Sequence, residues 1–284
     1  MRFFRFCLGV ACCVVALVPG FSLAQGAGEA IWIPMHESGI FGRRDIQLEA
    51  TLYKPAGAGP YPTVVFSHGS SGGPIPAHYT EKAAGLAAYL SGKGIALLVP
   101  MRRGRGQSQG RNAEEPSACT PEAARDGLDY ATAALDATFD YLRKQPWAAL
   151  DKVVLAGHSR GGILSLIYAA EHPGVAIGTI NFSGGWKNDN CGPVDINLAL
   201  FSAAAGGGKV PSLFLYAQGD GFYSDASIQK YAQVFTQAGG DVDFRFFHIE
   251  KVNGHLLFHR VRPVWDGAVG AFLQRIGAVP LASE

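Results

Sequence analysis

The sequence carries little charge and no excess of either sign. Only 17% of its 284 residues are Asp, Glu, Lys or Arg, and the formal net charge at pH 7 is +1. No uninterrupted basic cluster is longer than a pair such as Arg43-Arg44 or Arg102-Arg103, whereas nucleic-acid-binding domains concentrate Lys and Arg on one face. We therefore expect no nucleic-acid partner. With 48% apolar residues, most of the chain is expected to fold around one sizeable core.

Motifs for metals and nucleotides are missing. No H-E-x-x-H motif and no paired-cysteine spacing indicates zinc. The run Gly206–Lys209 lacks the first glycine of a phosphate-binding loop, because Ala203 stands at that position. Gly104 and Gly106 are followed by Gly110 rather than by a glycine at position 109, which breaks the dinucleotide-binding pattern. The motifs therefore exclude the common metal-dependent and nucleotide-dependent classes.

The N-terminal apolar run, Phe6–Val18, is shorter than the roughly 20 residues that span a bilayer. It follows Arg2 and Arg5 and precedes the small residues of Ser22–Ala24. A basic start, a short apolar run and small residues before a cleavage site are typical of a secretory signal peptide. We therefore predict a signal peptide over residues 1–24 and an exported protein, periplasmic or extracellular, with no membrane span after its removal.

Cysteine is scarce beyond this segment. Three of the five cysteines lie within it, where lipid modification of Cys12 or Cys13 is the alternative to cleavage after Ala24. Cys119 and Cys191 remain, and an even pair in an oxidising compartment predicts one disulfide. Two separate buried thiols are the alternative.

Strand-like and helix-like segments alternate along the rest of the chain. Residues 44–53 alternate polar and apolar side chains, which is typical of a half-exposed antiparallel edge strand. Short apolar runs, typical of strands covered on both faces of a parallel sheet, follow at 63–67, 95–99, 152–156, 175–182, 212–217 and 244–249. Helical patterns lie at 78–91, 121–145, 160–171, 224–238 and 263–276. This alternation predicts a single domain over residues 25–284, a three-layer α/β/α sandwich around a mostly parallel sheet of about eight strands.

A serine follows one of these strands in a glycine-rich turn. Lys152–Ala156 leads directly into Gly157-His158-Ser159-Arg160-Gly161-Gly162, and a helix opens immediately afterwards. In this G-x-S-x-G context the turn is so tight that side chains at positions 157 and 161 would collide, and the middle residue is strained with its hydroxyl exposed. Ser159 is therefore the predicted nucleophile, at a helix N-terminus that favours developing negative charge.

A serine nucleophile needs a histidine base and a carboxylate that orients the histidine. The chain order that goes with this turn is serine, acid, histidine. His255 follows the last strand in a loop and is the predicted base, with His259 as the fallback. Asp220 follows the strand at 212–217 and is the predicted acid. Asp225 is its rival, although its position at a helix start suits a capping role.

The oxyanion of a tetrahedral intermediate needs backbone N–H donors. Arg160, the residue after the nucleophile, is predicted to supply one of them. Ser70, in the glycine-rich loop after an earlier strand, is predicted to supply the second, to within one residue. His68 of the same loop is expected to brace the loop by hydrogen bonds.

The ordered set of motifs resembles an α/β-hydrolase of the dienelactone hydrolase-like or serine esterase type. The set comprises His68-Gly69, residues 103–110, Gly157–Gly162, Gly219-Asp220 and Gly254-His255, and the resemblance covers nearly all of residues 40–276. It implies hydrolysis of an ester, or less often an amide, through an acyl-serine intermediate, with no metal or organic cofactor and with a small-molecule ester as partner. True dienelactone hydrolases carry a cysteine nucleophile, so the serine at position 159 argues against dienelactone as the substrate.

The resemblance also suggests where substrate would bind. The segment 184–208 lies where this fold usually mounts a lid, and it contains Trp186. With Phe222 and Tyr223 beside the predicted acid, it is a candidate for an aromatic acyl or alcohol pocket; ordinary packing is the alternative. We expect an ester of a hydrophobic or aromatic acid.

Three interpretations stay open at this stage. The arginines at positions 102, 103, 105 and 111 fit either a solvated loop or a contact with an anionic substrate group. A serine peptidase or amidase of the same fold would need a subsite for a charged peptide terminus, and Glu114-Glu115 is the only paired acid nearby, more simply a loop face. A catalytically silent binding protein is disfavoured because usable residues fill every triad position.

Overall fold

The computed structural model describes residues 28–39, 42–70, 76, 78–115, 118–187, 196–206 and 209–279. The predicted signal peptide, Cys191, and residues 188–195 and 207–208 of the predicted lid segment lie outside these ranges. The signal peptide, the lid and the disulfide between Cys119 and Cys191 therefore stay predictions.

The described residues contain one sheet of eight strands in the order β1-β2-β4-β3-β5-β6-β7-β8. The strands are Glu29–Gly39 (β1), Gly42–Tyr53 (β2), Tyr61–Ser67 (β3), Ala96–Pro100 (β4), Ala148–His158 (β5), Gly178–Phe182 (β6), Ser212–Ala217 (β7) and Val242–Phe247 (β8). β2 pairs antiparallel with β1 and β4, and all other neighbours are parallel. The predicted mostly parallel sheet is confirmed.

Helices cover both faces of this sheet. They are Ala84–Ser91 (α1), Pro121–Leu142 (α2), Arg160–Glu171 (α3), Asn197–Gly206 (α4), Asp225–Gln237 (α5), Leu257–Arg260 (α6) and Arg262–Arg275 (α7). Helices α2 to α5 bury apolar side chains in one core, and α1, α6 and α7 bury theirs in a second core. Neighbouring strand residues such as Val154 and Leu155 point into opposite cores. The predicted three-layer sandwich is therefore confirmed. Within the described ranges, no helix combines the length and apolar character needed to cross a bilayer.

The prediction of an antiparallel strand at residues 44–53 is confirmed, but its placement at the edge of the sheet is wrong. These residues lie in β2, which pairs with β1 from Gly42 to Leu52 and with β4, on its other side, from Ala50 to Tyr53. The alternation has another cause: Ile46, Leu48 and Ala50 face a core while the side chains between them do not. The edge strand on this side of the sheet is β1, where no strand is predicted from the sequence although its apolar residues also alternate.

Helix α2 shows how closely local sequence fixes some elements. Thr120 Oγ1 accepts the N–H of Ala123, and Pro121 occupies the first turn, where a missing N–H costs nothing. Leu128, Leu135 and Leu142 form part of a buried stripe at helical spacing. The helix begins at the predicted residue and ends at Leu142, slightly before the predicted end.

Candidate active site

Ser159 lies in the turn between β5 and α3. Its backbone angles are φ 56° and ψ −125°, a conformation that is costly for a residue with a side chain. A Cβ on Gly157 would lie 2.2 Å from the Gly161 carbonyl oxygen, and a Cβ on Gly161 would lie 1.9 Å from the Ser67 carbonyl oxygen. Both glycines are therefore required by close backbone approach. Only 8% of Ser159 is exposed, less than the sequence suggests, because the loop at Gly69 packs against its side chain.

His255 and Asp220 form a buried pair at the carboxyl ends of β7 and β8. His255 Nδ1 lies 2.9 Å from Asp220 Oδ2. The other oxygen, Oδ1, accepts the backbone N–H groups of Phe222 at 2.7 Å and Tyr223 at 3.1 Å. Because a carboxylate only accepts hydrogen bonds, the His255 proton sits on Nδ1 and leaves Nε2 with a free lone pair. This is the tautomer that a general base requires.

The structure brings this pair to the turn that carries Ser159. His158, the residue before the serine, donates from Nε2 to the His255 carbonyl oxygen at 2.9 Å, and the two rings lie 4.9 Å apart. Ser183 Oγ donates to the Gly254 carbonyl oxygen at 3.4 Å. The three residues predicted as a triad therefore share one edge of the sheet, although they are far apart in sequence.

The two rivals of this pair have other partners. Asp225 is the first residue of α5 and accepts the N–H of Gly219 at 3.0 Å, while Ser224 caps the helix. His259 lies on α6, where its Nε2 is 3.9 Å from Glu81 Oε2. Burial lowers the pKa of His259, partly offset by Glu81. The hydrogen bond between His255 and Asp220 thus favours these two residues over Asp225 and His259.

The two predicted oxyanion donors lie on either side of Ser159. Arg160 is the first residue of α3, so its N–H has no acceptor within the helix. Ser70 follows Gly69, where an added Cβ would lie 3.3 Å from Ser159 Cβ. Neither backbone N–H donates to another residue of the described ranges. Their use as an oxyanion hole stays a prediction.

The interpretation of Glu114-Glu115 as a loop face is wrong for Glu114, which is buried, whereas Glu115 is half exposed. Its carboxylate has no exposed surface and receives two hydrogen bonds from Arg102, Nε to Oε1 at 2.7 Å and Nη2 to Oε2 at 3.1 Å. Burial alone would raise the pKa of Glu114, but the Arg102 guanidinium holds it at about 2. Arg103 and Arg105 are buried as well. The arginines at 102, 103 and 105 therefore support the loop from inside.

His68 braces the loop after β3, as the sequence predicts. Its Nδ1 donates to the Gly69 carbonyl oxygen at 2.6 Å, and its Nε2 accepts the N–H of Arg102 at 3.1 Å. Burial, reinforced by the Arg102 charge, lowers the pKa of His68 to about 3. The ring is therefore neutral at neutral pH and both nitrogens are used, which leaves neither for catalysis.

The three predicted pocket residues differ in solvent exposure. Phe222 is 45% exposed, and its ring centroid lies 4.4 Å from that of His255. Tyr223 is buried, with its ring 5.9 Å from His255. Trp186 has no exposed surface, and Arg160 Cζ lies over the Trp186 ring, 5.1 Å from the ring centroid. Phe222 is thus the one of the three that presents a surface beside the base.

Comparison with known proteins identifies the family. The sequence profile of the dienelactone hydrolase family matches residues 48–257. The chain therefore belongs to the dienelactone hydrolase family, and it is a hydrolase. It is also similar to a protein of Nocardia uniformis subsp. tsuyamanensis named "Putative esterase NocK", at 31% identity over 142 residues. That match covers 50% of this chain and spans only 38% of the relative's length.

Solved structures share the fold at low sequence identity. Est1E from Butyrivibrio proteoclasticus, solved with ferulic acid bound, has a TM-score of 0.63 at 17% identity, covering 88% of this chain and 100% of its own. The esterase Est2 from Thermogutta terrifontis has a TM-score of 0.61 at 15% identity, covering 92% and 98%. The acylaminoacyl peptidase of Pyrococcus horikoshii has a TM-score of 0.63 at 18% identity, covering 91% of this chain and 43% of its own. These likenesses place the chain in the α/β-hydrolase fold.

Proposed function

We propose that this hydrolase is an exported serine esterase that cleaves small carboxylic esters through an acyl-serine intermediate. The observation that carries the proposal is the hydrogen bond from His255 to Asp220, with the His255 carbonyl oxygen bonded to His158, the residue beside Ser159. A strained serine, an oriented histidine and a buried carboxylate at one sheet edge are the parts that acyl transfer requires.

Each residue has a role in the proposed reaction. His255 Nε2 takes the proton of Ser159 Oγ as the oxygen attacks the ester carbonyl carbon. The resulting oxyanion accepts hydrogen bonds from the N–H groups of Arg160 and Ser70. As the intermediate collapses, the C–O bond to the alcohol breaks and His255 gives its proton to the departing oxygen. Water then attacks the acyl-serine, with His255 acting as base and acid a second time. Asp220 orients the imidazole and stabilises its charged form.

Two observations bear on the substrate. The exposed Phe222 ring beside the base supplies an apolar wall, in keeping with an ester that carries a hydrophobic or aromatic group; Est1E was solved with ferulic acid bound. A peptidase would need a free acidic group for a charged terminus. Glu114 is bonded to Arg102, and Glu115 to Arg160 at 2.6 and 2.7 Å. Both acids are engaged, which favours an ester over a peptide.

Labelling with a fluorophosphonate probe tests the nucleophile. We expect wild type to be labelled and Ser159→Ala to lose both labelling and about 10⁴-fold or more of kcat on p-nitrophenyl esters. Asp220→Asn should keep the fold and lose a comparable part of kcat, because the imidazole then adopts the wrong tautomer. Labelling that persists in Ser159→Ala would refute the proposed nucleophile, and faster turnover of aminoacyl anilides than of esters would favour a peptidase.

The proposed export has its own test. When the full chain is expressed in a Gram-negative host and the cells are fractionated, we expect active protein outside the cytoplasm with Gln25 as its first residue. A variant that lacks residues 2–24 is the control and should stay in the cytoplasm. Full-length protein that remains in the cytoplasm with its N-terminal segment intact would contradict export.

A further inference from the structure

The main chain of His255 is held on both sides by side chains. Its N–H donates to Asn253 Oδ1 at 2.9 Å, and its carbonyl oxygen accepts from His158 Nε2 at 2.9 Å. With Asp220 at Nδ1, the residue is held at three separate atoms. Two of these bonds fix the backbone from which the imidazole projects, whereas only the third fixes the ring itself.

His158 is suited to hold a backbone carbonyl. The residue is buried, and its ring is enclosed by those of His255 at 4.9 Å, His259 at 4.8 Å and Phe258 at 5.8 Å. Burial lowers the pKa of His158 well below its usual value, so the ring is neutral. Because a carbonyl oxygen only accepts, the single proton sits on Nε2 and points at His255. The imidazole thus serves as a fixed donor.

Asn253 joins the loop of the base to the loop of the acid. Its Oδ1 accepts the N–H of Gly221, next to Asp220, at 2.9 Å as well as the N–H of His255. A Cβ on Gly221 would lie 2.7 Å from Asn253 Nδ2, so the glycine provides the space for this side chain. One amide oxygen therefore sets the spacing between the two loops that carry the pair.

We propose that His158 and Asn253 are positioning residues that together hold the backbone of His255 at the distance from Ser159 that proton transfer needs. The proposal rests on the proposed function. His158 is the first of the two variable positions of the G-x-S-x-G motif, and as the direct neighbour of Ser159 it links the nucleophile to the base through one side chain. A displacement of about 1 Å at a reacting group costs on the order of 10²-fold in rate. Neither residue is expected to touch substrate.

The first test compares His158→Leu with His158→Gln. Glutamine keeps an N–H donor at a similar reach, whereas leucine keeps the bulk and loses the donor. We expect His158→Leu to lower kcat by about 10- to 100-fold with KM within about twofold, and His158→Gln to recover most of the loss. His172→Leu is the matched control, since His172 lies at the far end of α3 with its Nδ1 on the Tyr168 carbonyl; its kcat should equal that of wild type. Thermal unfolding of each variant checks the fold.

The second test uses Asn253, which is exposed, so its substitution should leave the fold intact. Asn253→Asp keeps the accepting oxygen and Asn253→Ala removes it. We expect Asn253→Ala to lower kcat about 10-fold at unchanged KM, and Asn253→Asp to lose less. These two Asn253 variants test the positioning role even if His158→Leu does not fold.

The outcomes separate this proposal from the proposed function. Wild-type kcat in folded His158→Leu or in Asn253→Ala would overturn the positioning role, as would equal losses in His158→Leu and His158→Gln. The rate of fluorophosphonate labelling should fall in parallel with kcat, because it also depends on proton transfer from Ser159. Persistent labelling of Ser159→Ala would instead refute the nucleophile itself.

Discussion

The Phe222 ring lies beside the imidazole that would give its proton to the leaving alcohol in the proposed reaction. His255 gives its proton to the alcohol oxygen, so the alcohol portion of the substrate lies beside the imidazole. The Phe222 ring lies 4.4 Å from the imidazole ring and is 45% exposed. We therefore expect this ring to contact the alcohol portion more than the acyl portion.

Replacing Phe222 by alanine should change alcohol preference. On acetate esters, kcat/KM should fall by about 3- to 10-fold for benzyl and phenyl alcohols, the value of one aromatic contact, and stay near wild type for methyl and ethyl alcohols. Phe222→Tyr is the control and should keep the aromatic preference. A loss that is equal for all alcohols but varies with acyl length would show that the ring lines the acyl side instead.

Among single residues, the sequence predicts those that lie in a recognisable backbone setting, a glycine-containing turn that follows a strand. Ser159, Asp220 and His255 each follow a strand in a glycine-containing turn, and the structure brings them to one edge. The hydrogen bonds of His158 and Asn253 could not be predicted, because each joins loops that only the folded sheet brings together. Phe222 and Trp186 were indistinguishable in sequence for the same reason, since burial depends on the surrounding loops.

The loops after β3 and β4 are joined by Arg102, which also forms a buried ion pair with Glu114 of its own loop. Arg102 follows β4 and donates from Nη1 to the His68 carbonyl oxygen, after β3, at 2.6 Å, while its other nitrogens bind Glu114. The pair therefore supports the segment that carries Ser70. Removing one member of a buried pair leaves an uncompensated charge.

Glu114→Gln should destabilise the protein strongly. We expect the free energy of unfolding to fall by about 3 to 5 kcal/mol, because Arg102 stays buried without its counter-charge. Glu171→Gln is the control: Glu171 pairs with Arg125, both partners are partly exposed, and the loss should be below about 1 kcal/mol. Urea unfolding at pH 7 measures both. Equal, small losses in the two variants would show that Arg102 is stabilised by its carbonyl partners alone.

Whole elements were predicted best where one local pattern dominates. Helix α3 occupies the predicted residues, 160–171, because the glycine turn and Pro173 bound it. Helix α4 was missed because its alanine-rich sequence lies within the segment interpreted as a lid. The ion pair of Arg102 and Glu114 was missed because charged residues in a loop are normally solvated, and only the meeting of two loops makes burial favourable.

On the scale of the whole molecule, the parallel sheet brings the predicted site residues together. In the sheet, β3 lies next to β5, and β7 lies two strands from β5. These strands are parallel, so their carboxyl ends point to the same edge. The loops that follow them carry Ser70, Ser159 and Asp220, and the loop after β8 carries His255. Such an edge is where this kind of sheet places its ligands. To hold these loops together, the fold buries titratable groups, and this makes stability depend on pH.

The buried titratable groups predict that the protein loses stability in mild acid. The pKa of His68 falls from the usual 6.5 to about 3 on folding, and that of His158 falls well below 6.5, in both cases mainly through burial. Below pH 6.5 the unfolded chain therefore binds protons that the folded chain does not. The free energy of unfolding should fall as pH decreases, by up to about 1.4 kcal/mol per pH unit for each histidine.

Glu114 acts in the same direction at lower pH, since its pKa falls from 4.5 to about 2 on folding. Its contribution is complete above pH 4.5 and is lost as pH falls towards 2. Urea unfolding at pH 7, 6 and 5 measures the contribution of the histidines apart from that of Glu114. In this range His68→Gln should reduce the dependence of the free energy of unfolding on pH by about one proton, whatever the substitution does to stability at pH 7. A free energy of unfolding that stays constant between pH 7 and 5 would contradict the prediction, because these histidines would then take up protons as readily in the folded protein as in the unfolded chain.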